Sequence, residues 1–141
     1  MALTDNTDGG RTILEGICPV RIALSDTVEV GDLIGISSST WVRALATTGG
    51  VVHARMVAGQ SGVSGDVIVA YPFAVVGGVS GATVGGSIYN AEAAPKGEYT
   101  QTAPSTTGDV NVPIGIALTA TEMFIHPGST VIYHDTDHLA A

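Results

Sequence analysis

Four short stretches share one local design: Gly31-Asp32-Leu33-Ile34, Gly65-Asp66-Val67-Ile68, Gly85-Gly86-Ser87-Ile88 and Gly108-Asp109-Val110. Each sets a tight-turn sequence directly before aliphatic residues. Glycine supplies a positive φ, and an aspartate can bond the amides that follow it. A chain punctuated this often has little room for long helices and is expected to use short strands. The spacing of the motif is irregular, which argues against a solenoid. The pattern predicts an all-β protein, a compact β-barrel or sandwich of about eight to ten short strands.

Composition agrees. Val, Ile and Ala carry most of a 45% hydrophobic content, and glycine occurs 19 times. Val and Ile are stiff at χ1 and suit a pleated surface. Only 13% of residues are charged, about half the share of an average soluble domain. A length of 141 residues suits one domain.

Residues 1–12 contain Asp5, Asn6, Asp8, Gly9 and Gly10 without apolar periodicity and are expected to form a flexible N-terminal arm. Residues 13–134 are expected to form the β-rich domain, and 135–141 a polar C-terminal tail. The run 13–24 reads as strand interrupted by Gly16 and Pro19. The continuous apolar run 66–76 predicts a strand covered on both faces, with Pro72 marking a bend. Segment 51–59 reads as a strand with Val52, Ala54 and Met56 inward, or as a helix of about two turns. The clearest alternation lies in VNVPIGIAL (110–118). There Val110, Val112, Ile114, Ile116 and Leu118 are expected inside, and Asn111, Pro113, Gly115 and Ala117 on a small, flat outer face.

The net charge of −8, with Lys96 the single lysine and the arginines at positions 11, 21, 43 and 55, disfavours nucleic acid and anionic membrane as partners. No apolar run reaches the roughly 20 residues that a helix needs to cross a bilayer. Cys18 cannot form an internal disulfide and is expected to be a small buried hydrophobe. No serine lies in a G-x-S-x-G elbow, and no cofactor motif is present. A proton-transfer site would need a pair such as His53 and Glu122 brought within hydrogen-bond reach. His134, Asp135, Asp137 and His138 have metal-ligating atoms, but they read as a solvated tail. The expectation is a non-enzyme without cofactor or metal.

The segment VEVGDLIGI (28–36) has the look of lipoyl and biotinyl carrier domains, but Lys96 in A-P-K-G lacks the context of a modified lysine. A broader match runs through V-x-x-G-D-L-I (28–34), TVGGSIYNAE (83–92), KGEYTQTAP (96–104), GDVNVPIGIAL (108–118) and MFIHP (123–127). This order resembles the capsid decoration, or cement, proteins of tailed bacteriophages. The resemblance implies a β-rich homotrimer on the outer surface of an icosahedral head, made in the host cytoplasm. Its partner would be the major capsid protein, and it would bridge neighbouring capsomers. Candidate capsid or subunit contacts are Thr4, Asp5, Asn6 and Arg11 in the arm, together with Trp41, Asn111 and Pro113. The alternative is a phage fibre or receptor-binding β-module that recognises cell-surface glycans, with Trp41 and Tyr99 as contacts.

Overall fold

The computed structural model describes residues 10–92 and 96–128. Its elements are β1 (Thr12–Ile17), β2 (Val20–Ala23), β3 (Leu33–Ser37), β4 (Thr40–Arg43), β5 (Met56–Ala58), β6 (Val67–Tyr71), β7 (Phe73–Gly77), β8 (Ser87–Asn90), β9 (Tyr99–Thr100), β10 (Gly115–Ala117) and β11 (Glu122–Ile125). Among the described residues there is no helix, and the chain is all-β. Several hairpins contribute strands of only two or three residues, so the strands number eleven among the described residues.

The strands form two antiparallel sheets, a larger one ordered β1-β7-β11-β10-β8-β9 and a smaller one ordered β2-β6-β5-β3-β4. Neither closes into a barrel. The smaller sheet curls until its edges touch at a single parallel bridge between Leu24 and Trp41. Ile22, Ile34, Ala58, Ile68 and Ala70 pack together with Leu24, Val28 and Trp41 as one cluster. Leu33 and Val57, their neighbours on the same strands, pack with Val76, Ile88, Met123 and Ile125 of the larger sheet. Burial on both faces therefore belongs to β3 and β5, and it explains the nearly unbroken apolar sequence there.

The run 66–76 behaves differently from its sequence expectation. It splits at Pro72 into β6 and β7, which belong to different sheets. The run 13–24 splits in the same way at Cys18-Pro19. The two breaks face each other, because Ile17 pairs with Phe73 on one side and Val20 with Ala70 on the other. Two paired strands thus change sheet together. Neither proline needs to donate to a ladder at that corner. Cys18 is exposed with φ 60°, which corrects the expectation of burial: the corner turns its side chain outward. Tyr71 fills the inside of the corner. A β-carbon at Gly16 would stand 2.5 Å from its ring, and one at Gly59 would stand 2.6 Å away, so a side chain at either position would have to displace the ring.

The repeated motif forms one kind of turn. Gly31, Gly65, Gly85 and Gly108 have φ of 86°, 97°, 78° and 93°. In each turn the residue after the glycine donates its N–H to the carbonyl two residues before it, at 2.9–3.0 Å: Asp32 to Glu29, Asp66 to Val63, Gly86 to Thr83 and Asp109 to Thr106. This is the signature of a type II turn. The aspartates act backwards rather than forwards. Asp32 and Asp66 each accept the N–H of the residue three positions earlier, at 2.9 Å. Asp109 instead accepts the Thr48 N–H at 2.7 Å and fastens its turn to a distant loop.

Candidate interaction surface

One face of the larger sheet packs on the core, and the other is open and apolar. Strand register assembles it. Val75 on β7 lies opposite Glu15 on one side and Phe124 on the other, Phe124 lies opposite Ile116, and Ile116 opposite Ser87. Ile17 and Phe73 form the next rung towards the corner. Leu14 is displaced by a bulge between Ile13 and Glu15 and lies over Gly77. Exposure is 54% for Leu14, 49% for Ile17, 43% for Phe73 and 42% for both Ile116 and Leu118. The Phe124 ring meets the His126 ring at 5.1 Å between centroids. No arginine or lysine occurs on any strand of this sheet. Glu15 and Glu122 are its charged margins, and Glu122 accepts a bond from the Thr119 hydroxyl at 3.3 Å.

The segment 110–118 is oriented differently from its sequence expectation. Val110 and Ile114 are buried as expected, but Gly115 and Ala117 face the core while Ile116 and Leu118 face out. Two consecutive buried residues, Ile114 and Gly115, break the alternation. Gly115 permits this because its backbone lies against β11; a β-carbon there would stand 2.1 Å from the Phe124 carbonyl oxygen. A side chain of any size at position 115 would push the two strands apart.

The candidate contacts are scattered. Arg11 is buried, paired with Asp32 and donating to the Gly97 carbonyl at 3.4 Å. It is therefore part of the core rather than the arm, because the sheet folds over it and supplies its counter-charge. Trp41 is half-buried on β4 against the smaller cluster. Asn111 is half-buried and Pro113 exposed, both on the segment entering β10. Thr4, Asp5 and Asn6 lie outside the described residues, as do the tail 135–141 and His134. Tyr99 is buried, donates its hydroxyl to the Gly31 carbonyl at 2.5 Å and lies under the Arg11 guanidinium. It is thus unavailable as an exposed glycan contact.

A charged cleft of about 240 Å³ opens beside this pair, lined by Arg11, Thr27, Glu29, Asp32, Arg43, Lys96 and Glu98. Its charges are partly spent internally, as Arg43 bonds Asp26 at 3.2 Å. Burial pushes the Asp32 carboxyl up to about 6, against the pull of Arg11. His53 and Glu122 are not brought together. His53 lines a small cavity with Asn90 and Ile114, and burial lowers its pKa with help from Arg55, whereas Glu122 is on β11.

Comparison with protein-family models, with curated proteins and with solved structures finds no match to this chain.

Sequence reasoning missed Leu14, Ile17, Phe73, Ile116 and Leu118 as surface residues. The available signal was apolar residues at both parities of one run, as in Phe73-Ala74-Val75-Val76. That pattern marks either a strand buried twice or a strand with one face awaiting a partner.

Proposed function

We propose that this chain is a structural virion protein that decorates and stabilises an icosahedral phage head, acting as a homotrimer that bridges neighbouring capsomers of the major capsid protein. The observation that carries the reading is the open apolar face of the larger sheet. Seven apolar side chains, Leu14, Ile17, Phe73, Val75, Ile116, Leu118 and Phe124, share it without a cation among them. Contiguous apolar surface of this kind marks contact with another protein, and cores of interfaces are depleted of charge. The sequence order through 83–127, which resembles decoration proteins, supplies the virion context.

The test is the mass of the purified chain in solution at micromolar concentration, followed by sedimentation with empty heads. A trimer that co-sediments is expected. A monomer with no affinity for heads overturns the proposal.

A further inference from the structure

Strand β8 alternates outward and inward through Ser87, Ile88, Tyr89 and Asn90. The last inward position, where an aliphatic residue would be expected, holds an amide. Asn90 is 2% exposed, and neither its side-chain oxygen nor its side-chain nitrogen has a hydrogen-bond partner among the described residues. An asparagine side chain offers two N–H donors and a carbonyl with two lone pairs. Leaving such a buried group unsatisfied forfeits the hydrogen bonds it makes with water in the unfolded chain.

The amide adjoins a small cavity, lined also by His53, Ala54, Val110, Val112, Ile114 and Gly128. It has about 10 Å³ of room for the centre of a water-sized sphere, about what a single water needs. Most of the wall is aliphatic. Among the described residues its polar groups include the Asn90 amide, the His53 imidazole and the Gly128 backbone, whose carbonyl also accepts from Arg55 at 3.1 Å; together they can supply the two to four partners that hold a buried water.

We propose that Asn90 is a binding site for one internal water molecule, which its amide shares with the polar groups of the same cavity wall. A bridging water makes hydrogen bonds nearly as good as direct ones, and many ordered waters cost little to immobilise, so a water that satisfies the amide is favoured over an empty space. Val110, Val112 and Ile114 lie against this cavity, and their segment leads directly into β10. The water therefore sits behind the piece of chain that aims Ile116 and Leu118 at the open face. A larger organic ligand is excluded by the size of the space.

The experiment is a high-resolution crystal structure of the full chain, with water-selective nuclear Overhauser spectra of the same protein. Density within hydrogen-bond distance of the Asn90 amide is expected, together with a cross-peak from its side-chain N–H protons to a water that outlives molecular tumbling. In Asn90→Leu, near in volume but apolar, density at that position should vanish. Water persisting there in Asn90→Leu would show that other groups hold it, and would overturn the assignment. An empty cavity in the unsubstituted protein, or an Asn90 amide turned onto a protein partner, would also overturn it. These last two readings need no variant to fold.

Discussion

Arg11 and Asp32 form an ion pair inside the protein, their side chains 2% and 4% exposed. The guanidinium also covers the Tyr99 ring at 5.5 Å, and Asp32 accepts the Glu29 N–H at 2.9 Å. One contact thus joins the residue preceding β1, the turn before β3 and strand β9. Replacing Arg11 by Met would leave a buried carboxylate without its counter-charge. The expected loss is about 3–5 kcal/mol, read by urea unfolding. A loss under about 1 kcal/mol, the range of surface pairs, would show that the pair is solvated.

The same carboxylate gives a pH dependence. Its pKa in the folded protein is raised from 3.8 to about 6 by burial. The folded state therefore holds the proton more tightly than the unfolded state. Asp32 contributes stability that is fully present below about pH 4 and is lost as pH rises through 6. The expected loss is on the order of 3 kcal/mol. Asp26 acts in the opposite sense: burial works to raise it, but Arg43 outweighs burial and holds it below its usual value. The difference between wild type and Asp32→Asn, measured by denaturation from pH 4 to 7, isolates the first effect. A constant difference across that range would contradict it.

Gly16 and Tyr71 should be coupled. A methyl at position 16 collides with the ring, and overpacking of this kind costs about 1–3 kcal/mol. Tyr71→Ala opens the space, so Gly16→Ala should be far less harmful in that background. Additive effects in a double-mutant cycle would mean that the ring and the glycine do not touch.

The β3–β4 hairpin turns through Ser38 and Ser39, with φ of 49° and 65°. Positive φ at both central residues defines a type I′ turn, for which Asn-Gly is preferred. Substituting Ser38→Asn with Ser39→Gly should stabilise the protein by about 0.5–1 kcal/mol, seen as a rise in Tm by calorimetry. A fall in Tm would place the turn in another class.

Ile116 is 42% exposed, so Ile116→Asp should barely change the stability of a lone protomer, within about 0.5 kcal/mol. On the proposed contact face the same charge would be desolvated, and association should weaken at least tenfold in sedimentation equilibrium. Unchanged association would remove this face from the interface.

Strand content was legible because turn chemistry is local. The glycine turns at 31, 65 and 85 open β3, β6 and β8 as their sequences suggest. The facing of 110–118 was not legible. Alternation identifies two faces but cannot tell which one meets the core once a glycine lets two consecutive residues turn inward. The candidate contacts suffered from the same limit: Arg11 reads as an arm residue until Asp32, 21 positions away, is seen beside it.

The sequence by itself determined that this chain is all-β, because propensity and turn geometry act over a few residues. Only the tertiary structure decided that Pro19 and Pro72 pass the chain between two sheets, that Arg11 is core, and that Phe73 and Ile116 are left facing water. Those outcomes depend on strand register and sheet packing across dozens of residues, and no local pattern encodes which side of a strand the rest of the molecule will cover.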